Sequence, residues 1–394
     1  MPWRESSRMQ QRLEFIRACL DRGQRIVDIC DRFGISEKTG HKILRRFREE
    51  GPGGLADRSH APHQIPHRMA AAVADRLIAL RKKYPKYGPE KLRDWLVHHE
   101  PDTRWPAVSS IGSLLKREGL VRARRRSGGR GSVAGRALAG RTEATGPNSV
   151  WTIDFKGEFR LATGPYCYPL TLLDLATHFG LACRALPATA IEATRQTLIR
   201  AFQDYGLPDV IRSDNGVPFA QPNAIGRLGA LAFWWVRLGI RPEHTTPGRP
   251  AENGAHERFH KTLKAAATRP PSASLEAQQR RFAAFLHDYN TERPHAGLPG
   301  HVPPARCYTA SPRRYPSRLP PILYPDHTEV RLVSSNGQFK WKDIPFHLSK
   351  NLAGQYVSLT ETAADLITIA YGPLALGELD PQLMRFIPRS RWVG

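Results

Sequence analysis

The chain has 394 residues, too many for one ordinary domain, so two to four are expected. It carries 59 Lys and Arg against 36 Asp and Glu, a formal net charge of +23, and that balance points to a polyanion, nucleic acid first. No run of about 18 apolar residues exists, so no membrane span is expected. The start, Met1-Pro2-Trp3-Arg4-Glu5, leads into a polar helix and not a signal peptide. The five cysteines (Cys19, Cys30, Cys167, Cys183, Cys307) are scattered with no Cys-x-x-Cys, which argues against zinc and for a reducing cytoplasm.

Residues 1–50 read as three short helices. Leu13, Phe15, Ile16 and Leu20 mark the first, and Ile26, Val27, Ile29, Cys30 and Phe33 mark the second. Gly34-Ile35-Ser36 is the turn, with Ser36 as N-cap of the third. His41, Lys42, Arg45, Arg46 and Arg48 surround Ile43, Leu44 and Phe47, the pattern of a helix-turn-helix with a basic recognition helix. A three-helix bundle with merely solvated charges is the blander alternative. Residues 51–67 read as a Gly/Pro/His-rich linker whose His60, His63 and His67 lack metal spacing.

Residues 68–121 repeat the theme, with helices over 68–84 and 89–98 and a third to 118 capped by Ser109 or Ser110. This is a second helix-turn-helix or winged-helix module. Residues 122–147 are a basic linker, with seven arginines and no acid over 122–141. Arg124, Arg125 and Arg126 could track phosphates or lie in a minor groove, and a disordered spacer explains them equally well.

A core is expected over 148–306. Its strands fall near 150–158, 166–173, 179–184, 209–213 and 240–244, and its helices near 189–205, 225–238 and 275–289. Strands followed by alternating helices fit an α/β layer. Trp234 and Trp235 read as packing residues. Beyond a Pro-rich linker, six short strands over 324–380, with turns such as Asn336-Gly337, suggest a small β-barrel.

Three carboxylates in the core invite chemistry. Asp154 lies in Trp151-Thr152-Ile153-Asp154-Phe155-Lys156-Gly157, a strand in which a buried carboxylate needs a partner or a metal; an edge Asp facing water is the alternative. Asp214 closes the strand Val210-Ile211-Arg212-Ser213 before Asn215-Gly216, which is also ordinary turn chemistry. Glu257 lies on a helix reaching about Ala267, where Asn253, Glu257 and Lys261 share one face and Lys264 lies near it. Basic residues beside that carboxylate suit a metal next to a phosphate backbone, or else make weak surface pairs. Together, two strand-borne Asp and one helix-borne Glu are hard oxygen donors of the kind Mg²⁺ or Mn²⁺ prefers. Asp174 is taken as structural and Glu158 as solvent-facing.

These strings stand in a familiar order. WTIDFKG (151–157), IRSDNG (211–216), ENGAHERFHKTLK (252–264) and YNTERPHAGL (289–298) together resemble DDE-type insertion-sequence transposases with a retroviral-integrase-like catalytic core. The resemblance implies a multidomain chain: helical helix-turn-helix modules, an α/β RNase-H-like core and a small C-terminal β-barrel. It implies Asp154, Asp214 and Glu257 as catalytic residues binding two Mg²⁺, with Mn²⁺ substituting. It further implies strand cleavage and transfer at transposon ends, double-stranded DNA as partner, and homo-oligomers on DNA in a bacterial cytoplasm, at the nucleoid. An accessory ATPase for target choice is compatible with it, though no motif marks one. The family's usual gap between second Asp and Glu favours Glu252, with thirty-seven residues between it and Asp214, over Glu257, with forty-two between. Context favours Glu257, which follows Asn-Gly-x-x and precedes a Lys-bearing turn. Asn215 and Asn253 are then supporting residues behind the ligands, and His256 and His260 stand near substrate. His41, Lys42, Arg45, Arg46, Arg124, Arg125, Arg126, Lys261 and Lys264 are the expected DNA contacts. Two other classes remain: a non-catalytic DNA-binding regulator derived from a transposase, and an RNase-H-like nuclease.

Overall fold

The structure is a computed structural model that describes residues 7–21, 23–57, 69–121, 141–221, 224–245, 254–362 and 365–389. It divides into two compact units, residues 1–70 and 71–394.

The first unit contains α1 (Arg8–Leu20), α2 (Ile26–Phe33) and α3 (Glu37–Glu50). Ser36 caps α3 as expected, accepting the Thr39 N–H at 3.3 Å, and Gly34 supplies the left-handed turn (φ 64°) that ends α2. Phe15, Ile16, Ile29, Cys30 and Leu44 form its core. That core extends past residue 50, because Gly51–Leu55 winds into a 3-10 turn and buries Leu55.

The second unit opens with α4 (Ala71–Lys83), α5 (Pro89–His99) and α6 (Val108–Arg117). The cap of α6 is Ala107, so Ser109 and Ser110 fall inside the first turn rather than before it. Ala107 makes no side-chain cap bond, and burial of Ile111, Leu114 and Leu115 sets where this helix lies.

The region from Val150 to Thr291 is a mixed sheet between two helical layers. Its strands are β1 (Val150–Phe155), the two-residue β2 (Phe159–Arg160), β3 (Tyr166–Asp174) and β4 (Gly180–Leu186). The helix α7 (Ile191–Tyr205) leads to β5 (Val210–Ser213), and α8 (Ala230–Arg237) leads to β6 (Arg241–His244). The chain breaks at Gly226 (φ 57°), so the helix expected over 225–238 begins only at Ala230. Strand β1 is central, antiparallel to β3 and parallel to β5, which is parallel to β6; β4 and β2 both pair with β3. A mixed sheet with helices on both faces is the α/β layer expected from the sequence.

Trp151, Ile153, Leu170, Leu172 and Ile211 face one layer, packed with Leu198, Phe202, Trp234 and Trp235 of α7 and α8. Leu173 and Cys183 face the other, packed with α9 (Gly254–Ala267) and α10 (Leu275–Thr291) through Phe259, Leu263, Phe282 and Phe285. Side chains alternate along a strand. Thr152, Asp154 and Thr171 therefore belong to the α9 face.

The C-terminal region corrects an expectation. Strands β7 (Glu329–Leu332), β10 (Tyr356–Glu361), β11 (Ile367–Tyr371), β12 (Leu374–Asp380) and β13 (Arg385–Pro388) form an open antiparallel sheet, with β13 and β7 at its edges. Strands β8 (Gln338–Trp341) and β9 (Ile344–His347) pair separately as a hairpin, and no barrel closes among the described residues. The physical reason is α8. Its Ala232, Phe233 and Val236 join Val357, Ile369, Tyr371 and Leu376 in one cluster, so the sheet buries an apolar face against a helix without curling onto itself. Strand β13 lies beyond the expected boundary at 380.

Candidate active site

Two of the three expected carboxylates end neighbouring strands. The parallel pairing of β1 with β5 runs Val150↔Val210, Trp151↔Ile211, Thr152↔Arg212 and Ile153↔Ser213. Asp154 and Asp214 are the residues that directly follow the last pair of this register. Paired strands lie about 4.8 Å apart, and in-register residues share a face. Both aspartates are half-buried. The Asp214 carboxylate accepts the Gly216 N–H at 3.1 Å, so the Asp-Asn-Gly turn holds it. Asn215 donates from its side chain to the Thr245 carbonyl, and Ser213 Oγ lies 3.1 Å from His244 Nδ1, so both fasten this turn to the end of β6. Burial holds His244 below the ordinary histidine range.

Further back on β5, Arg212 and Glu243 are each 7 % exposed and directly paired. The Arg212 Nε–H and Nη2–H donate to Glu243 Oε2 at 3.1 and 3.0 Å, and Nη2–H also donates to the Thr142 carbonyl at 2.7 Å. This buried ion pair ties β5 to β6 two residues before Asp214.

The third carboxylate, Glu257, is exposed in the first turn of α9. Residues on either side of it are sunk into the protein. His256 is fully buried, and Phe259 is fully buried against the sheet. His260 Nε2 lies 2.8 Å from Thr171 Oγ1, which also donates to the Asp154 main-chain carbonyl at 3.0 Å. Burial, then the Lys156 charge, pushes the His260 pKa down to about 4. Among the described residues no three His, Cys, Asp or Glu side chains form a group that could hold a metal ion. The structure thus sets Asp154 and Asp214 directly after the last register pair of two neighbouring strands and carries Glu257 on a helix hydrogen-bonded to Thr171 of β3, without gathering all three. Glu252 and Asn253 lie outside the described residues.

Lys156 is a residue that the sequence reading passed over. Burial, then Lys264 and Arg269, hold its ammonium below the ordinary lysine range. It lies two residues from Asp154 and close to the exposed Lys264; Lys261 is exposed on the same helix. The signal was in WTIDFKG itself, where Lys156 shares the strand face of Asp154. Asp174 is structural, as expected: fully buried, it accepts the Asn148 N–H at 2.7 Å and both the N–H and hydroxyl of Thr177 at 2.9 and 2.6 Å. Glu158 is exposed.

On α3, His41, Lys42 and Arg45 are exposed on the helix that a helix-turn-helix presents to DNA. Arg46 differs, because it is half-buried and donates to the Ala56 carbonyl at 2.7 Å, so it closes the 3-10 turn. Arg124, Arg125 and Arg126 lie outside the described residues.

The string YNTERPHAGL is architectural. Asn290 clamps Gly180 by accepting its N–H at 2.8 Å and donating to its carbonyl at 2.9 Å. Glu292 accepts the Trp95 indole N–H at 3.0 Å and the Tyr84 hydroxyl at 3.3 Å, and Lys91 donates to the Pro294 carbonyl at 3.1 Å. The segment therefore docks the α4–α6 module onto the core.

Residues 144–250 and 238–304 each match an Integrase core domain family. Residues 144–304 are thus similar to an integrase core. Residues 11–63 match a Helix-turn-helix domain and residues 39–115 a Homeodomain-like domain. An uncharacterized protein of insertion element IS407 from Burkholderia multivorans is 28% identical over 237 residues, 59% of this chain and 79% of that protein. The Pol polyprotein of Feline endogenous virus ECE1 is 30% identical over 130 residues, 33% of this chain but only 12% of that polyprotein. Among solved structures, the simian T-cell lymphotropic virus intasome in complex with PP2A regulatory subunit B56 gamma aligns over 79% of this chain and 95% of that chain, with 15% identity and a TM-score of 0.37. The HTLV-2 integrase catalytic core domain in complex with magnesium aligns over 42% of this chain and 99% of that chain, with 16% identity and a TM-score of 0.33. No helix among the described residues is long and apolar enough to cross a membrane. The accessory ATPase finds no support.

Proposed function

We propose that the chain is a DNA transposase that binds the terminal inverted repeats of its element and catalyses strand cleavage and strand transfer. The observation that carries this reading is the register-adjacent pair Asp154 and Asp214 at the C-terminal ends of two parallel strands of an integrase core. Two half-buried carboxylates on rigid strands fit a divalent ion, because hard anionic oxygens are what Mg²⁺ and Mn²⁺ select. Asp154, Asp214 and Glu257 would hold two such ions, which when bound would activate a water or 3′-hydroxyl and stabilise the leaving oxygen. The exposed position of Glu257 suits a ligand that completes the site when DNA is present.

The chain's own residues position the nucleic acid. Lys156, Lys261 and Lys264 hold the phosphate backbone beside the carboxylates, where their charge offsets its repulsion by the acids. His41, Lys42 and Arg45 on α3 bind the repeat by phosphate contacts with some base readout. Joining two ends requires more than one copy, so the working form is a homo-oligomer on DNA in the bacterial cytoplasm.

The test is Mn²⁺-dependent cleavage of DNA carrying the element's own ends, with wild type beside Asp154→Asn, Glu257→Gln and Glu252→Gln. Activity lost in the first two variants and kept in the third supports the reading. Activity kept in Glu257→Gln but lost in Glu252→Gln moves the third ligand five residues upstream. Tight end binding by a wild-type chain that never cleaves replaces the enzyme with a non-catalytic DNA-binding regulator.

A further inference from the structure

Thr171 sits directly opposite Asp154 in the β1–β3 register and is fully buried. Its hydroxyl has two neighbours, the Asp154 main-chain oxygen at 3.0 Å and His260 Nε2 at 2.8 Å. A carbonyl oxygen only accepts, so the single hydroxyl proton goes to Asp154. The hydroxyl oxygen must then accept from His260, which fixes the ring with its proton on Nε2. The result is a directed chain, His260 Nε2–H to Thr171 Oγ1, and Thr171 O–H to Asp154 O.

This chain joins two elements that bring different carboxylates. Asp154 is on β1, and Glu257 is on α9 one turn before His260. His256, fully buried at 5.2 Å between ring centroids from His260, and Phe259, packed on Tyr289 at 4.8 Å, hold the same turn down. Glu257, exposed like its neighbour Arg258, thus sits in a turn anchored on both sides.

We propose that Thr171 and His260 are positioning residues: their hydrogen-bond chain fastens the helix bearing Glu257 to the strand end bearing Asp154 and so sets the spacing of the two carboxylates for divalent ions. This rests on the metal-dependent reading given above. Neither residue touches substrate or ion. Each acts through a neighbour, in the way that outer hydrogen-bond partners orient metal ligands.

The experiment is Mn²⁺ binding to the full chain, followed by the electron paramagnetic resonance of free Mn²⁺, for wild type, Asp154→Asn, Thr171→Val and Thr171→Ser, with circular dichroism to monitor folding. Thr171→Val keeps the shape and removes the hydroxyl, and weakens Mn²⁺ binding by about tenfold or more. Thr171→Ser keeps the hydroxyl and returns the affinity to near wild type, which a merely structural role for the threonine methyl would not produce. If Thr171→Val unfolds the chain, His260→Leu breaks the same connection from the helix side and carries the same expectation. Mn²⁺ binding weakened by Asp154→Asn but unchanged in Thr171→Val, or equally weak in Thr171→Val and Thr171→Ser, overturns this inference alone. Wild type and Asp154→Asn binding Mn²⁺ identically overturns the metal reading and this inference with it.

Discussion

Replacing Arg212 with Met strands the buried Glu243 carboxylate beside β5, the strand that leads to Asp214. Arg212 and Glu243 are each 7 % exposed and share two hydrogen bonds of 3.0 and 3.1 Å. Removing one partner of a buried ion pair costs about 3–5 kcal/mol, because the other charge is left without compensation. Glu243 keeps a hydrogen bond from Thr142 and an ion pair at 3.4 Å with the half-exposed Arg241, so the lower end, roughly 3 kcal/mol, is expected. The double variant Arg212→Met/Glu243→Leu removes both charges and should regain most of that loss, since apolar replacement of a buried pair is often neutral. Urea unfolding followed by tryptophan fluorescence reads the core, where Trp151 and Trp235 are fully buried. End cleavage should fall with Arg212→Met even below the unfolding transition, because Asp214 directly follows β5. A loss under about 1 kcal/mol in the single variant, or a double variant as unstable as the single, would refute the reasoning behind this pair.

Other outcomes follow from the same geometry. Burial, then His178 and the cations Lys91, Arg293 and Arg258, holds the His295 pKa down to about 3, although Tyr289 hydrogen-bonds its Nε2 at 3.0 Å. The folded value lies below the unfolded 6.5, so His295 contributes stability that is full above about pH 6.5 and is lost as pH falls toward 3. Chemical denaturation at pH 7 and pH 5 should show that fall, and His295→Gln should flatten it; an unchanged slope counts against the assignment. Glu292→Ala removes the acceptor for Trp95 and Tyr84 and should loosen the α4–α6 module by about 2 kcal/mol. Hydrogen exchange over 89–99 should then accelerate, and identical exchange would show that Glu292 does not dock the module. Gly54→Ala would drive a methyl into the Arg46 carbonyl and lower the stability of the first unit by about 1–3 kcal/mol. Its melting temperature and its affinity for the element's ends should drop together, and an unchanged melting temperature would contradict the packing described.

Much of this layout was legible from local pattern. Ser36 stands where a cap is required and does cap α3. The β-branched and apolar run before Asp154 and the short strand that Pro208 introduces before Asp214 marked both strands, and their parallel pairing runs up to the residue before each acid. What stayed hidden depends on distant partners. Arg46 reads as one more cation on a basic helix until the turn at Gly51–Leu55 brings the Ala56 carbonyl within reach. Ser109 and Ser110 look like caps, yet burial of Ile111 and Leu115 starts α6 earlier. The strand pattern near the C-terminus could not distinguish a closed barrel from an open sheet, because the deciding contact is with α8, more than ninety residues upstream of β7. Glu292 and Asn290 were visible only as letters of a motif, and their work is tertiary: one receives Trp95, the other clamps Gly180. Lys156 was missed because a lysine beside a strand is ordinary until Lys264 and Arg269 are brought near it.

The most direct test of the central claim is anomalous scattering from crystals of the full chain soaked in Mn²⁺. The account predicts a manganese peak at coordination distance from the carboxylates of both Asp154 and Asp214. Manganese found elsewhere at saturating concentration, with those two carboxylates unliganded, would contradict it.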